Sequence, residues 1–212
     1  MHRELLSGAI LLTGLLYLGA LTRPPGPVRY ALKPLPVLLI IALAATGVHD
    51  TRSWLVLAGL TISIVGDICL LFPERLFVHG LSAFLTAHIL YTAAFVLAAP
   101  GTGIPSVLVL AALAAAAVPV FRRLRSGVLE AGGKAMLIAV GVYMAAITMM
   151  VWRAIATGSP LLAAGAVLFY LSDATLACNR FARSYRWAEY VVMGTYYAAQ
   201  YCLALTGAGD FR

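Results

Sequence analysis

An all-α membrane protein, a bundle of eight transmembrane helices, is the fold class this sequence predicts. Three observations lead there. Of 212 residues, 62% are hydrophobic and only 11% are charged, where a soluble domain carries about 25% charged residues. Apolar runs recur along the whole chain, so residues 1–212 read as one integral-membrane domain. The runs have about the length, roughly 17–25 residues, with which a helix crosses a bilayer.

The spans are expected at about 5–21, 34–48, 53–72, 77–98, 104–121, 134–152, 159–179 and 187–206. The first is read as retained rather than cleaved, because Pro24-Pro25 stand where a small-residue cleavage site belongs. Turn-forming or charged stretches separate the runs: RPPGPVR, HDTR, FPERL, APGTGIP and RRLRSG in turn, with TGSP opening the seventh. The second run is short, and a seven-span count is the rival.

The net charge of +7 sits in short loops. It therefore reads as membrane orientation and not as a nucleic-acid footprint. Arg23, Arg29, Lys33, Arg75, Arg122, Arg123, Arg125, Lys134, Arg180, Arg183 and Arg186 fall on one side of an eight-span chain. Arg3, Arg52, Arg153 and Arg212 fall on the other. Positive-inside bias places both termini outside and the basic loops in the cytoplasm, in a bacterial inner membrane. Cys69, Cys178 and Cys202 lie in apolar segments with no metal-ligand spacing, so they read as small buried apolar residues. No metal or cofactor is expected.

Two carboxylates break the apolar pattern. Asp67 in GDICL and Asp173 in SDATL are the acidic residues well inside a span, the third and the seventh. A charge in lipid costs at least about 2.5–3.5 kcal/mol. The shared pattern is a small residue, then Asp, then Leu three later. It suggests two parallel four-helix halves. Counted from the span ends, both aspartates lie at matching depth, about 8–10 Å below the cytoplasmic interface. If the two spans face each other, the carboxylates converge in one cavity. One then holds its proton while the other gives it up, which supplies an acid and a base. The alternative is that each is a structural anchor.

His88 in the fourth span shares a helical face with Phe84, Tyr91 and Phe95. It is expected to face the bundle interior, holding a water or a substrate oxygen, or bonding a neighbouring helix. Lys33, in LKPLP, suits an anionic phosphate or snorkels to the headgroups. Glu189, Met193, Tyr196 and Gln200 share a face of the eighth span, and Tyr143 sits in the sixth. The polar members are expected to point inward. Arg180, Arg183 and Arg186 read chiefly as topology determinants.

In order and spacing, LKPLP (32–36), GDICL (66–70), GLSAFLTAHILY (80–91), Tyr143 with Met149 downstream, FYLSDATLACNRF (169–181) and YYAAQ (196–200) resemble the YhhN-like lysoplasmalogenase family of polytopic membrane proteins. These pieces touch six of the eight spans. The resemblance implies an eight-helix enzyme that hydrolyses the vinyl-ether bond of a lysoplasmalogen. The products would be a fatty aldehyde and glycerophospho-ethanolamine or glycerophosphocholine. It implies that Asp67 and Asp173 are catalytic. His88, Tyr91, Lys33, Tyr143, Tyr196 and Gln200 are the candidates for binding substrate or positioning water. The partners expected are the lysophospholipid and membrane lipids, and no nucleic acid. The competing function is a small proton-coupled transporter or lipid-binding protein, which intramembrane carboxylates also fit. Against it, no span carries a Gly or Pro interruption near its middle, except for a weak signal at Gly165.

Overall fold

The computed structural model describes residues 2–99 and 104–207. Eight helices follow one another, and no strand occurs among the described residues. They are α1 (His2–Ala20), α2 (Pro27–Leu32), α3 (Leu35–Ala45), α4 (Thr51–Cys69), α5 (Pro73–Ala98), α6 (Ile104–Ala156), α7 (Pro160–Phe181) and α8 (Ala188–Gly207). Prolines at the first turns of α2, α3, α5 and α7 start helices where a missing N–H costs nothing. Asp50 caps α4: its carboxylate accepts from the Ser53 backbone N–H, and Ser53 Oγ accepts from the Asp50 N–H. The Ser53 backbone N–H, above all, holds the Asp50 carboxyl below the usual carboxylate range.

The solvent preferences are those of an integral membrane protein. Leu5, Leu11, Leu12, Leu15, Leu108 and Ile138 are exposed, while Lys33, Ser63, Asp67, His88, Ser172 and Gln200 are buried. With lipid outside, apolar exposure costs nothing and the polar groups are sheltered inside the bundle. Among the described residues six helical stretches are long and apolar enough to cross a membrane; the second joins α2 and α3 as Pro27–Ala45, and the fifth is Ser106–Ala156.

Three expectations need correction. RRLRSG does not end the fifth span: α6 is helical through it. Arg and Leu are good helix formers, and Leu124 and Val128 are buried against Phe77 and Phe181. The turn falls later, at Gly132–Gly133, where Gly133 takes φ 63°, a left-handed value that suits glycine. The two limbs then run antiparallel. Trp152 Nε1 donates to the Ser106 carbonyl at 2.6 Å, and Gly141 lies against the Phe121 ring. Second, part of the expected first loop, 27–32, is helix, and the chain is interrupted at Lys33–Pro34 between α2 and α3. Pro34 denies the ladder a donor there. One apolar stretch is therefore discontinuous, whereas α7 runs unbroken past Gly165, which packs on Ala199 and Cys202 of α8. Third, the three cysteines are only half-buried. The APGTGIP break includes residues 100–103, and Arg212 ends the chain; these lie outside the described residues.

Two helical pairs dominate the packing, α4 on α5 and α7 on α8, and α8 also packs on α3 and α4. The small residue before each aspartate serves these pairings. Gly66 lies under the Phe84 ring of α5, where a Cβ would approach to 2.5 Å. Ser172 donates to the Val192 carbonyl of α8 at 3.0 Å.

Candidate active site

Asp67 and Asp173 line one cavity of about 390 Å³. The helices carrying them do not pack on each other: α4 packs on α3, α5 and α8, and α7 on α6 and α8. The depth match also differs from expectation. Asp67 stands two residues before the end of α4 and Asp173 eight before the end of α7, about 3 Å against about 12 Å of helix. Both carboxylates nonetheless line the same cavity.

Each carboxylate has a hydrogen-bond partner on a helix of the opposite half of the chain, Tyr196 for Asp67 and His88 for Asp173, and Asp173 has a second on its own half. Tyr196 Oη on α8 donates to Asp67 Oδ2 at 2.8 Å. Tyr143 Oη on α6 donates to Asp173 Oδ2 at 2.5 Å. His88 Nε2 on α5 lies 3.1 Å from the same Asp173 oxygen and 3.0 Å from Tyr143 Oη. With Tyr143 Oη donating to that oxygen, the Nε2–H tautomer lets His88 donate to it as well. His88 Nδ1 has no hydrogen-bond partner among the described residues.

Asp67 is 3% exposed, and its partners form a relay. Tyr91 Oη donates to Gln200 Oε1 at 2.8 Å, and Gln200 Nε2 donates to Tyr196 Oη at 3.1 Å. Tyr196 in turn donates to Asp67, so all three donors point towards the carboxylate and each polarises the next. Tyr91 and Gln200 are fully buried behind Tyr196. They are expected from sequence near substrate, yet the structure places them off the cavity wall. His88 likewise stands behind Asp173. Lys33 and Tyr196 are on the wall, and Tyr143 lines the adjoining apolar pocket.

Lys33 sits at the α2–α3 interruption, and its carbonyl accepts from Tyr197 Oη at 2.7 Å. Its side chain lines the cavity beside Asp67 without an ion pair within 4 Å among the described residues. Asn179, Arg180 and Glu189 complete the polar rim. Of the three arginines, Arg180 alone lines this cavity, with its guanidinium 4.1 Å from the centre of the Phe77 ring.

On its other side Asp173 borders an apolar pocket lined by Leu81, Leu124, Val140, Tyr143, Met144 and Phe181. The two spaces share Leu70, Phe77, Phe84, Asp173 and Leu176. Sequence reasoning misses Phe169. It is fully buried, with ring centroids 4.8 Å from His88, 5.5 Å from Tyr196 and 6.2 Å from Phe84, and so it separates the partners of the two carboxylates. The signal was its position one helical turn before Asp173, on the same face. Among the described residues no three His, Cys, Asp or Glu side chains stand where they could share a metal ion.

A model of the YhhN family matches residues 28–207. Lysoplasmalogenase TMEM86B of Sus scrofa is 39% identical over 183 residues, 86% of this chain and 76% of that protein. Lysoplasmalogenase TMEM86A of Homo sapiens is 36% identical over 165 residues, 71% of this chain and 64% of that one. The "uncharacterized membrane protein YhhN" of Escherichia coli O157:H7 is 39% identical over 88 residues, 41% of this chain and 42% of that one. No solved structure matches the chain. The family match runs from the helix before Lys33 to the end of α8 and takes in both aspartates and all their partners: the chain belongs to the YhhN family.

Proposed function

We propose that this protein is a lysoplasmalogenase, hydrolysing the vinyl-ether bond of lysoplasmenyl-ethanolamine or -choline to a fatty aldehyde and the glycerophospho-alcohol. Asp67 and Asp173 are its acid–base pair. The observation that carries the reading is the placement of two tyrosine-held carboxylates on one cavity, with Asp173 at the border of its polar and apolar parts. An amphiphile with its reactive bond between head and tail fits such a border. The similarity to curated lysoplasmalogenases supports the same reading.

Asp67, the more enclosed carboxyl, with one tyrosine donor, gives its proton to the outer alkene carbon. The adjacent carbon becomes an oxocarbenium ion. Asp173, whose anion two donors support, takes a proton from water as the water oxygen bonds to that cation. The resulting hemiacetal then gives its hydroxyl proton to Asp67 and receives one from Asp173 on the leaving oxygen. Aldehyde and alcohol separate, one water is consumed, and both carboxyls return to their starting states. The chemistry parallels inverting glycoside hydrolysis. Tyr143 and His88 hold Asp173, and the Tyr91–Gln200–Tyr196 relay holds Asp67.

We count eight crossings, with the two limbs of α6 and helix α8 each crossing once. At about 1.5 Å per residue, the 51 residues of Ser106–Ala156 are far too long for one crossing of a core about 30 Å thick. In this arrangement the termini are outside and the cavity opens to the cytoplasmic half of a bacterial inner membrane. Lys33, Arg180 and the α6 turn all lie on the basic side. Two parallel four-helix halves place α4–α5 and α7–α8 as counterparts. The carrier reading is disfavoured at the inner end of the cavity, which Phe84 and Tyr196 line while Tyr91, Phe95 and Leu60 fill the core behind them. The test is aldehyde release by purified protein from lysoplasmenylethanolamine and from its saturated alkyl-ether analogue. Aldehyde from the first alone is expected; none from either overturns the hydrolase.

A further inference from the structure

We propose that Glu189 reads the cationic end of the substrate's headgroup, a specificity-determining role that rests on the lysoplasmalogenase reading. Glu189 lies in the first turn of α8 and lines the polar cavity. Its bonds are one-sided. Tyr17 Oη donates to Oε1 at 3.1 Å and Arg29 Nη2 donates to the same oxygen at 2.6 Å. Oε2 accepts from no described residue, and the side chain is 48% exposed. The carboxylate is thus fixed by one oxygen and offers the other.

The cavity is charged with both signs. Lys33 is only 8% exposed, and its ammonium has no hydrogen bond or ion pair among the described residues. The Arg180 guanidinium spends one donor on the Pro73 carbonyl, at 3.4 Å, and keeps the rest. A buried, unpartnered ammonium and a guanidinium with donors to spare, lining one cavity, suit a phosphate. Glu189, on the same wall, then stands where the amine of a zwitterionic head ends. A primary ammonium donates to Oε2; a quaternary one is held by charge alone. If Glu189 served only structure, as the partner of Arg29 or a favourable charge at a helix N-terminus, removing either member of the pair would act alike on every ligand.

The experiment is binding of two uncleavable probes to the full-length detergent-solubilised protein: 1-O-alkyl-glycerophosphoethanolamine and 1-O-alkyl-glycerophosphate. Wild type is expected to prefer the first. Glu189→Gln should lose about ten-fold or more for the ethanolamine probe, the value of one charge-assisted hydrogen bond, and keep its affinity for the phosphate probe. Arg29→Gln leaves the carboxylate in place and should keep the preference. Equal losses on both probes, a matching phenotype in Arg29→Gln, or no preference in wild type overturns the proposal. Should Glu189→Gln fail to fold, wild type decides with a third probe, 1-O-alkyl-glycerophosphocholine. Affinity below that of the ethanolamine probe supports the Oε2 contact, and equal affinity overturns it. Binding with the expected preference but no aldehyde from wild type would sink the hydrolase reading and leave the head site standing.

Discussion

Tyr143 Oη lies 2.5 Å from Asp173 Oδ2, with His88 Nε2 a further 3.1 Å donor to that same oxygen. The two donors come from α6 and α5 and meet on α7. Their convergence orients the carboxylate, leaving Oδ1 for the reaction. Tyr143→Phe removes the shorter bond and little volume. A hydrogen bond to a charged group contributes about 1.5–3 kcal/mol, so kcat should fall roughly 10- to 100-fold, with KM near its wild-type value. Steady-state aldehyde release checks this; a KM effect alone would make Tyr143 a wall residue.

Lys33 tests head binding. Lys33→Met keeps the stem and deletes the charge, while the carbonyl that accepts from Tyr197 is unaffected. KM for the lysophospholipid should rise more than kcat falls, because ground-state binding is lost. A fall in kcat at constant KM would place Lys33 in the chemistry.

Stability should be sensitive at Gly127. A Cβ there runs into the Phe181 backbone at the end of α7, and neither backbone can yield without separating α6 from α7. Gly127→Ala should cost about 1–3 kcal/mol, as overpacking does. Gly8→Ala is the control, since nothing lies within 4 Å of its Cβ. Thermal unfolding in detergent should show a lower Tm for the first only.

Orientation is tested by reporter fusions after Gly133 and after Arg183. Both should read cytoplasmic under the basic-loop bias. A periplasmic signal at either would reverse the cavity's side.

How much of this was legible beforehand depended on the kind of signal. The spans are written in composition, and Asp67 and Asp173 stood out because a carboxylate in lipid needs a partner. The α6 turn was misplaced because three arginines read as a loop, though arginine is a good helix former and snorkels at the interface. The turn went instead to the glycine pair able to adopt a left-handed residue. The crosswise partnering of Asp67 with Tyr196 and Asp173 with His88 was not legible at all, since it depends on how helices far apart in sequence pack. Phe169 was hidden for another reason: an aromatic in an apolar run carries no mark of what it separates.

The carboxylate pair itself gives the decisive test. Asp67→Asn and Asp173→Asn preserve shape and remove proton transfer. General acid–base groups contribute typically 10²–10⁴-fold each, so each single variant should lose turnover by about that factor. Groups that act as a unit are non-additive, so the double variant should be little worse than the worse single. Folding should survive, because an amide is cheaper to bury than a charge. Wild-type activity against pH should be bell-shaped, reporting the pair and not either residue, and each single variant should lose one limb. Loss of the alkaline limb, where the acid is consumed, is expected for Asp67→Asn. Loss of the acid limb is expected for Asp173→Asn. The reverse pattern would exchange the two roles. A monodisperse Asp173→Asn protein turning over at the wild-type rate would reduce Asp173 to a structural anchor, and the two-carboxylate mechanism would fall with it.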